Sequence, residues 1–373
     1  MWSGIAIPPL IHYHVAMTKH PLPNPHIHTL ALYQPGKSAI SLQNELGVNI
    51  AQMANNENPL GASKSVASVL QNAMQHIHLY PDGEYQALKK LLANKFDLDA
   101  TQITLGNGSE NILELIIKAF LPANANAIIS EYTFLTIPIL IKSYNAQIIT
   151  VPTKHFHTDL SAMLHAINDE TRMIFLVNPN NPTGTYIKTD DLLFFLKSVP
   201  SHIIIVIDEA YCEYITEADF PNTIAYLQTF PNLIITRTFS KAYGLANLRL
   251  GYAMSSSEIA DIMNRARLPY NVSTLAMQAG IAALNDQQHI EETYRFNLAG
   301  KKQLETGLTA LNFSFIPSVA NFITVNVHDA KHVAAELESQ GILVRPLNAY
   351  NMPQFIRVSI GSYEDNARFL QAL

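Results

Sequence analysis

Short apolar runs alternate with helical patterns along most of the chain. Seven runs rich in β-branched residues, each bounded by polar or glycine positions, are typical of buried strands. They cover residues 103–105, 127–130, 147–151, 173–177, 203–208, 233–238 and 250–253. Helical periodicity falls between most of them, over residues 85–94, 109–120, 134–144, 160–167 and 190–196. This alternation predicts an α/β domain in which helices cover a largely parallel sheet.

The pattern changes after residue 269. A long helical stretch over residues 273–311 precedes strand-like residues 321–327, a helical segment over 330–340, and strand-like residues 342–346 and 355–360. This order predicts a smaller α+β domain at the end of the chain. We therefore expect an N-terminal arm over residues 1–55, with its first ~28 residues poorly ordered. A large domain over residues 56–270 and a small domain over residues 271–373 follow it.

Composition narrows the class of protein. The 373 residues are 48% hydrophobic and 14% charged, with a formal net charge of -6, which argues against a nucleic-acid-binding protein. A single cysteine, Cys212, excludes an intramolecular disulfide and favours a reducing, cytoplasmic compartment. The apolar runs are shorter than the ~20 residues of a membrane-spanning helix, so we expect no membrane span.

Histidines are concentrated near the start of the chain. They are His12, His14, His20, His26 and His28. Prolines scatter their spacing, and no cysteine or carboxylate stands among them, so the segment lacks the pattern of a metal site. We predict that the protein binds no metal.

Three polar motifs follow strand-like runs: NPNNPTG at residues 178–184, DEAY at 208–211 and TRTFSKAYGLANLRLGY at 236–252. Since the carboxyl ends of parallel strands meet at one edge of a sheet, these motifs are expected to form one site. The third motif contains Lys241 and, eight residues later, Arg249. A lysine amine can act as a covalent catalyst by forming a Schiff base with an aldehyde cofactor.

An anion site is indicated by the sequence LGNGSEN. Gly106 and Gly108 turn the chain after a strand, and a helix starts near Ser109. A helix N-terminus presents free backbone N–H groups to an anion such as phosphate, although an ordinary turn with Ser109 as N-cap has the same pattern. Ser240 and Arg249 add a hydroxyl and a guanidinium. The alternative for Arg249 is a surface ion pair.

Asp208 ends a very apolar strand, where an unpaired charge is costly, so a cationic partner is expected. Beside a pyridine ring such a carboxylate keeps the ring nitrogen protonated; the alternative is a loop cap. Tyr211 and Asn181 are candidates for hydrogen bonds to a ring hydroxyl, or else for turns. Phe134 is a candidate for an aromatic plate over the ring, or else for core packing. With Lys241, these groups are consistent with a pyridoxal phosphate site.

Seven segments in this order resemble the histidinol-phosphate aminotransferase family, which belongs to the fold-type I pyridoxal phosphate-dependent aminotransferases (class II). They are NENPLG (56–61), YPDGEYQALKKLLA (80–93), GNGSENI (106–112), NPNNPTG, DEAY, TFSKAYGLANLRLGY (238–252), and VRPL (344–347) with IRVSIG (356–361). The resemblance covers residues 30–373. The sequence departs from the family pattern at Asn247, where a glycine is common, and at Ile137, where a tyrosine is common. Both residues are expected near the cofactor.

The resemblance implies a large domain with a mostly parallel, seven-stranded mixed sheet between helices and a smaller α+β domain. It implies that Lys241 bonds covalently to pyridoxal phosphate and that Asp208 pairs with the pyridine nitrogen. The remaining implied cofactor contacts are Tyr211 and Asn181 at the ring hydroxyl, Phe134 on the ring face, and Ser109, Glu110 (through its backbone), Ser240 and Arg249 at the phosphate. A homodimer is also implied, in which Tyr80 reaches the cofactor phosphate of the partner subunit.

At the substrate end, the resemblance implies that Arg357 receives both the carboxylate of glutamate and the phosphate of histidinol phosphate. Tyr33, Asn181 and Arg345 would line the same pocket, and the alternative for Arg357 is an ion pair on a strand of the small domain. The implied reaction is ping-pong amino transfer between L-histidinol phosphate and 2-oxoglutarate in histidine biosynthesis. An aromatic amino-acid aminotransferase and a pyridoxal phosphate-dependent phospho-amino-acid decarboxylase remain alternatives.

Overall fold

The computed structural model describes residues 24–30 and 38–373 of the chain. Its strands are β1 (Ala51–Gln52), β2 (Ile103–Gly106), β3 (Asn126–Ser130), β4 (Gln147–Val151), β5 (Thr171–Val177), β6 (Ile204–Asp208), β7 (Leu233–Thr238), β8 (Gly251–Met254), β9 (Phe315–Ile316), β10 (Phe322–Asn326), β11 (Ile342–Leu343), β12 (Arg345–Pro346) and β13 (Phe355–Ser359). Its α-helices are α1 (Ala39–Leu46), α2 (Lys64–Ala73), α3 (Gln86–Phe96), α4 (Ser109–Phe120), α5 (Thr136–Ser143), α6 (Leu160–His165), α7 (Thr189–Ser198), α8 (Ser257–Ala266), α9 (Thr274–Asn285), α10 (Gln287–Ala310), α11 (Ala330–Ser339) and α12 (Tyr363–Ala372).

The strands β2 to β8 form one seven-stranded sheet in the order β2-β8-β7-β6-β5-β3-β4. The pairs from β7 through β6, β5 and β3 to β4 are parallel, whereas β8 runs antiparallel to both β2 and β7. The predicted strands and the mostly parallel mixed sheet are thus confirmed. The carboxyl ends of β5, β6 and β7 lie side by side, which places the polar motifs that follow them at one edge.

The large sheet is buried on both faces. Along β6, Ile205 and Ile207 pack in one apolar cluster while Val206 between them packs in another. Consecutive side chains of a strand point to opposite faces, so the two clusters lie on opposite sides of the sheet. Burial on both faces explains why the sequences of these strands are continuous apolar runs and do not alternate between apolar and polar residues.

The C-terminal region contains a four-stranded antiparallel sheet in the order β12-β13-β10-β9. The predicted continuous helix over residues 273–311 is wrong. It is two helices, α9 and α10, separated at Asp286, whose side chain caps α10 by accepting a hydrogen bond from the backbone N–H of His289. The expected strand over residues 342–346 also divides, because β11 and β12 belong to different sheets.

Residues near the N-terminus contribute to the C-terminal core. β1 pairs in parallel with β11, and Ala51 and Met53 pack in the same apolar cluster as Leu304 and Phe369. The chain segment just before residue 56 is thereby attached to the C-terminal region. The bounds of the three domains stay a prediction.

Within residues 24–30 and 38–373, no helix is long and apolar enough to cross a membrane. The same residues contain no group of three or more histidine, cysteine, aspartate or glutamate side chains that could hold a metal ion. His12, His14 and His20 lie outside the described residues. The ring Nε2 of His26 lies 3.0 Å from the carbonyl oxygen of Ser143, at the end of α5.

Candidate active site

A cavity of about 700 Å³ lies at the carboxyl ends of the central strands, between the large sheet and β12 and β13 of the C-terminal sheet. Its wall includes Val177 at the end of β5, Asp208 at the end of β6 and Thr238 at the end of β7. Most of the site residues predicted from the sequence line it: Ser109, Glu110, Phe134, Asn181, Asp208, Tyr211, Ser240, Lys241, Arg249, Arg345 and Arg357. The three polar motifs therefore do meet in one place.

Lys241 lies in the turn after β7. Its Nζ donates a hydrogen bond of 2.9 Å to the backbone carbonyl of Asn55 and lies 6.0 Å from the centre of the Tyr211 ring. Burial lowers the pKa of Lys241 to about 8, and the positive charge of Arg357 acts in the same direction. A neutral amine, the form that acts as a nucleophile, is therefore accessible close to neutral pH.

Asp208 is almost fully buried, with 3% of its surface exposed. Its Oδ1 accepts a hydrogen bond of 2.9 Å from the hydroxyl of Thr236, the residue opposite it on β7. Burial raises the pKa of Asp208 to about 6, the Thr236 hydrogen bond lowers it, and the charge of Glu209 raises it. In the described part of the chain, Asp208 contacts this hydroxyl rather than the cation expected from the sequence, although Lys241 lowers its pKa from a distance.

The start of α4 forms a cradle for an anion. Gly108 is its N-cap, and among the described residues no side chain caps the helix, so Ser109 is the first helical residue rather than the alternative N-cap. Gly108 has a φ of +85°, and a Cβ there would lie 2.6 Å from Nη2 of Arg249. Arg249 Nη1 donates to Ser240 Oγ at 3.4 Å, and its Nη2 contacts Glu110 Oε2 at 3.3 Å. The guanidinium is thus held over free helix N–H groups, beside an exposed carboxylate.

Tyr211 and Phe134 line the same cavity. The Tyr211 hydroxyl accepts a 3.0 Å hydrogen bond from Nδ2 of Asn56, and burial raises the pKa of Tyr211 to about 12. The phenol therefore stays protonated at neutral pH and can donate a hydrogen bond into the cavity. Phe134 lines the cavity and also packs against the core beside α4, and its position over the cofactor ring stays a prediction.

Two arginines face each other at the far end of the cavity. Arg345 on β12 and Arg357 on β13 are opposite residues of an antiparallel pair, an arrangement in which like charges repel. Arg357 donates to Oδ1 of Asn181 at 2.6 Å and to the carbonyl of Ala54 at 2.7 Å, and Arg345 donates to Oδ1 of Asn55 at 2.9 Å. These acceptors are neutral, so an anion placed between the guanidinium groups would relieve the repulsion.

Tyr80 does not line the cavity. Tyr80 is 82% exposed and stacks on Tyr270 with ring centres 4.8 Å apart. Tyr33 lies outside the described residues. Neither Asn247, which is exposed, nor Ile137, which is fully buried in the core, lines the cavity, and an effect of these two departures on the pocket stays a prediction.

Several residues of the site were not predicted from the sequence. They are Asn55, Asn56, Thr236, Thr238, Lys142, Lys331 and Tyr350, of which all but Thr236 line the cavity. Thr236 belongs to a strand-like run, in which a threonine gives no signal of function. Asn56 begins the NENPLG segment and Asn55 precedes it. The occurrence of two consecutive asparagines was the only sequence signal that could have indicated a role in the site.

Comparison with known proteins identifies the family. Residues 48–373 match the sequence model of the aminotransferase class I and II family. Histidinol-phosphate aminotransferase 2 of Pseudomonas aeruginosa is 46% identical over 356 residues, which cover 94% of this chain and 96% of that protein. The chain belongs to the histidinol-phosphate aminotransferase family. The protein of the same name from Pseudomonas fluorescens is 45% identical, with the same coverage of both chains.

A solved structure supports both the fold and the cofactor. The crystal structure of histidinol-phosphate aminotransferase from Sinorhizobium meliloti, in complex with pyridoxal-5'-phosphate, superposes with a TM-score of 0.87 at 28% identity. The match covers 96% of this chain and 98% of that one. The predicted fold of the fold-type I pyridoxal phosphate-dependent enzymes is confirmed.

Pyridoxal phosphate is the cofactor of this family, and the residues of the cavity fit it. The uncapped start of α4, with Gly108 making room for Arg249, suits a phosphate. Asp208, buried without a contacting cation among the described residues, suits a protonated ring nitrogen. Lys241, with its lowered pKa, suits covalent attachment to an aldehyde.

The close approach of Arg249 to Gly108 leads to a prediction. Gly108→Ala is expected to raise the dissociation constant of pyridoxal phosphate about 10-fold or more, because the added Cβ displaces Arg249 and strains the backbone. Gly47→Ala is the matched control, since Gly47 also has a positive φ but nothing lies within 4 Å of its Cβ position. Fluorescence titration with the cofactor measures both variants. Equal affinities in the two variants would contradict the cradle.

Proposed function

We propose that this chain transfers the amino group between L-histidinol phosphate and 2-oxoglutarate in histidine biosynthesis. In the biosynthetic direction, glutamate aminates imidazole-acetol phosphate. The observation that carries the proposal is the pairing of Arg345 with Arg357 in the wall of the cavity that also contains Lys241. Relatives that are about 45% identical over nearly the whole of both chains bear the name of this activity. A cytoplasmic location stays a prediction.

Pyridoxal phosphate, when bound, supplies an electron sink for the carbon from which a proton is removed. Asp208 would pair with the ring nitrogen, and its carboxylate would keep that nitrogen protonated. Tyr211 and the amide nitrogen of Asn181 donate to the ring hydroxyl, and Phe134 covers a ring face. Lys241 Nζ would act as general base for the α-proton of the substrate and then, as general acid, would return that proton.

The phosphate of the cofactor is assigned to the start of α4. Backbone N–H groups of Ser109 and Glu110, the Ser240 hydroxyl and the Arg249 guanidinium are its donors. The exposed contact between Arg249 and the Glu110 carboxylate, at 3.3 Å, is weak enough to be exchanged for the phosphate. Cofactor phosphate and substrate anion therefore bind at separate ends of one cavity.

At the substrate end, Arg357 binds the carboxylate of glutamate and, in the other half-reaction, the phosphate of histidinol phosphate. A guanidinium offers paired, charge-assisted hydrogen bonds to either group. Oδ1 of Asn181 fixes the orientation of Arg357, and Oδ1 of Asn55 fixes that of Arg345. Tyr33 is assigned to this pocket by its place in the sequence alone.

The functional unit is proposed to be a homodimer. An exposed apolar surface supports this proposal; it consists of Met74, Ile77, Leu79, Tyr80, Leu268 and Tyr270, which are 46–82% exposed. The stacking of Tyr80 on Tyr270 joins the two chain segments of this surface. Burial of such a surface against a second copy would remove it from water and carry Tyr80 to the neighbouring site.

Mixed dimers test the role of Tyr80 directly. Tyr80→Ala and Lys241→Ala are each expected to be impaired as pure dimers, for different reasons. If Tyr80 serves the partner's site, each mixed dimer contains one fully native site. An equal mixture, after subunit exchange, should then recover about a quarter of the wild-type activity, since half of its dimers are mixed. A mixture no more active than the mean of its two components would place Tyr80 in its own subunit's site.

Steady-state kinetics test the proposed reaction. With L-histidinol phosphate and 2-oxoglutarate as varied substrates, double-reciprocal plots should be parallel, and glutamate should accumulate in proportion to the substrate consumed. Release of carbon dioxide from a phosphorylated amino acid, without glutamate formation, would favour the decarboxylase alternative. Protein that holds the cofactor but forms no glutamate from histidinol phosphate would contradict the proposal.

A further inference from the structure

The ends of β6 and β7 carry functional groups on both faces of the sheet. Asp208 and Thr236 are opposite residues of this parallel pair and form the hydrogen bond that holds Asp208 in the cavity. On β7, the side chain of Thr236 points to the same face of the sheet as that of Ile234, and the side chain of Arg237 points to the same face as that of Ile235. Ile234 and Ile235 pack in different apolar clusters. Because side chains alternate along a strand, Arg237 points to the face opposite the cofactor cavity.

On that opposite face, Arg237 forms an ion pair with Glu209, the residue that follows Asp208. Its Nε and Nη2 donate to Oε2 of Glu209 at 2.9 and 2.8 Å. The other oxygen, Oε1, accepts a hydrogen bond of 2.6 Å from the hydroxyl of Thr223. The backbone N–H of Glu209 also bonds to the carbonyl of Thr236 at 2.8 Å. The pair therefore ties the end of β6 to β7 directly behind Asp208.

The ion pair is deeply buried, and its charges lie next to the charge of Asp208. The side chain of Glu209 is 0% exposed and that of Arg237 is 14% exposed. Without Arg237, two carboxylates on consecutive residues would be buried together, which is costly for both. Nothing in the proposed chemistry uses Glu209 or Arg237, so a role for this buried pair must act through its neighbours.

We propose that the Glu209–Arg237 ion pair is a positioning element for the cofactor. It balances the buried charge behind Asp208, so that Asp208 reaches the ring nitrogen in its ionised form. Arg237 and Glu209 are thus positioning residues and touch neither cofactor nor substrate. This inference rests on the proposed role of Asp208 as the partner of the ring nitrogen.

Other charged groups also act on Asp208. The titratable groups whose charges act on it are Glu209, the next residue, Glu110 on α4 and Lys241 after β7, and Asp208 in turn acts on Tyr211 in the following turn. Glu209 and Glu110 raise the pKa of Asp208, whereas Lys241 lowers it. Removal of the Glu209 charge should therefore make Asp208 easier to ionise.

A second set of groups surrounds the ion pair itself. Cys212, Glu213 and Tyr252 face Arg237 and, like Glu209, raise its pKa, so that it stays protonated at every pH of interest. Burial raises the pKa of Glu213. Because Arg237 keeps its charge throughout, the titration that matters at low pH is that of the carboxyl groups.

The test measures the dissociation constant of pyridoxal phosphate as a function of pH in three variants. Asp208 must be ionised to pair with a protonated ring nitrogen, so wild-type affinity should be lost as the pH falls through about 6. Glu209→Gln keeps the shape of the side chain and should move this midpoint about one unit lower. Arg237→Met should weaken binding at pH 7 about 10-fold, and adding Glu209→Gln to it should restore most of the affinity.

Restoration by the second substitution separates charge balance from simple packing. If the double variant binds as weakly as Arg237→Met, or if Glu209→Gln leaves the midpoint unchanged, the inference is wrong. Circular dichroism verifies that each variant is folded. Arg295→Met is the control, because its ion pair with Glu291 is exposed and should alter neither affinity nor midpoint.

One more variant separates this inference from the function on which it rests. Asp208→Asn should abolish the loss of affinity at low pH. If that loss persists in Asp208→Asn, the proposed role of Asp208 fails. If the loss of affinity at low pH disappears in Asp208→Asn but its midpoint does not change in Glu209→Gln, only the proposed role of the ion pair is wrong.

Discussion

Replacement of Lys241 with alanine is expected to lower the rate of amino transfer by at least about 1,000-fold. The variant loses both the covalent attachment of the cofactor and the amine that moves the α-proton. Its complex with pyridoxal phosphate should lack the visible absorbance of the lysine-bound form, because the phosphate cradle holds the cofactor without a covalent bond. Absorbance spectra and single-turnover rates measure the two effects separately.

Lys241→Arg is the matched control for this prediction. It retains a positive charge and much of the length of the side chain, but a guanidinium stays protonated and is a poor nucleophile. It should therefore be as inactive as the alanine variant. Transamination near the wild-type rate in either variant would rule out the role given to Lys241.

The lowered pKa of Lys241 adds a pH dependence. In protein without cofactor, the amine is protonated below a pKa of about 8 and neutral above it. Only the neutral amine attacks the aldehyde, so the rate of covalent attachment of pyridoxal phosphate should rise with pH and level off above about 8. A rate that keeps rising to pH 10 would indicate an amine with an ordinary pKa. Stopped-flow absorbance at several pH values distinguishes the two results.

Replacement of Arg357 with alanine is expected to lower kcat/KM at least about 100-fold for glutamate and for histidinol phosphate alike. Each substrate loses two charge-assisted hydrogen bonds, and the remaining Arg345 cannot supply the same fork from the neighbouring strand. The dissociation constant of pyridoxal phosphate should change little, because the cradle at α4 lies at the other end of the cavity. Separate half-reaction rates for the two substrates measure this effect.

Two further substitutions sharpen the test of Arg357. Arg357→Lys keeps the charge but not the planar fork, so it should recover only part of the loss. Arg265→Ala removes an exposed arginine paired with Asp261 and should leave both substrates unaffected. If Arg357→Ala impairs only one of the two substrates, a single arginine does not serve both.

The strands of the large sheet could be predicted from the sequence because they are buried on both faces. In the run over residues 203–208, five apolar residues precede Asp208, which begins a polar motif. The apolar residues show the extent of the strand, and the polar motif shows where it ends. The break between α9 and α10 could not be predicted in this way. Asp286 stands in a polar run over residues 285–289, which one continuous helix with an exposed face could also contain, and its capping of α10 becomes visible only in the folded chain.

The candidate site was predictable where a motif carries its chemistry within a few residues. Lys241, Asp208 and the start of α4 belong to that class. The contacts between motifs were not predictable, because they depend on the register of strands distant in sequence. Arg345 and Arg357 lie opposite each other because β12 pairs with β13. Thr236 can donate a hydrogen bond to Asp208 because β6 pairs with β7.

The proposed function requires that this cavity accept both L-histidinol phosphate and glutamate as amino donors. The most direct measurement is the half-reaction of the cofactor-loaded protein with single amino donors, followed by the change in cofactor absorbance. L-histidinol phosphate and glutamate should each convert the cofactor to its aminated form. Histidinol without phosphate should react at least about 100-fold less efficiently than histidinol phosphate, because it has no anionic group to bind the arginines. Phenylalanine and tyrosine carry a carboxylate but no phosphate, and they should react more slowly than histidinol phosphate. Faster conversion by phenylalanine or tyrosine than by histidinol phosphate would contradict the account and favour an aromatic amino-acid aminotransferase.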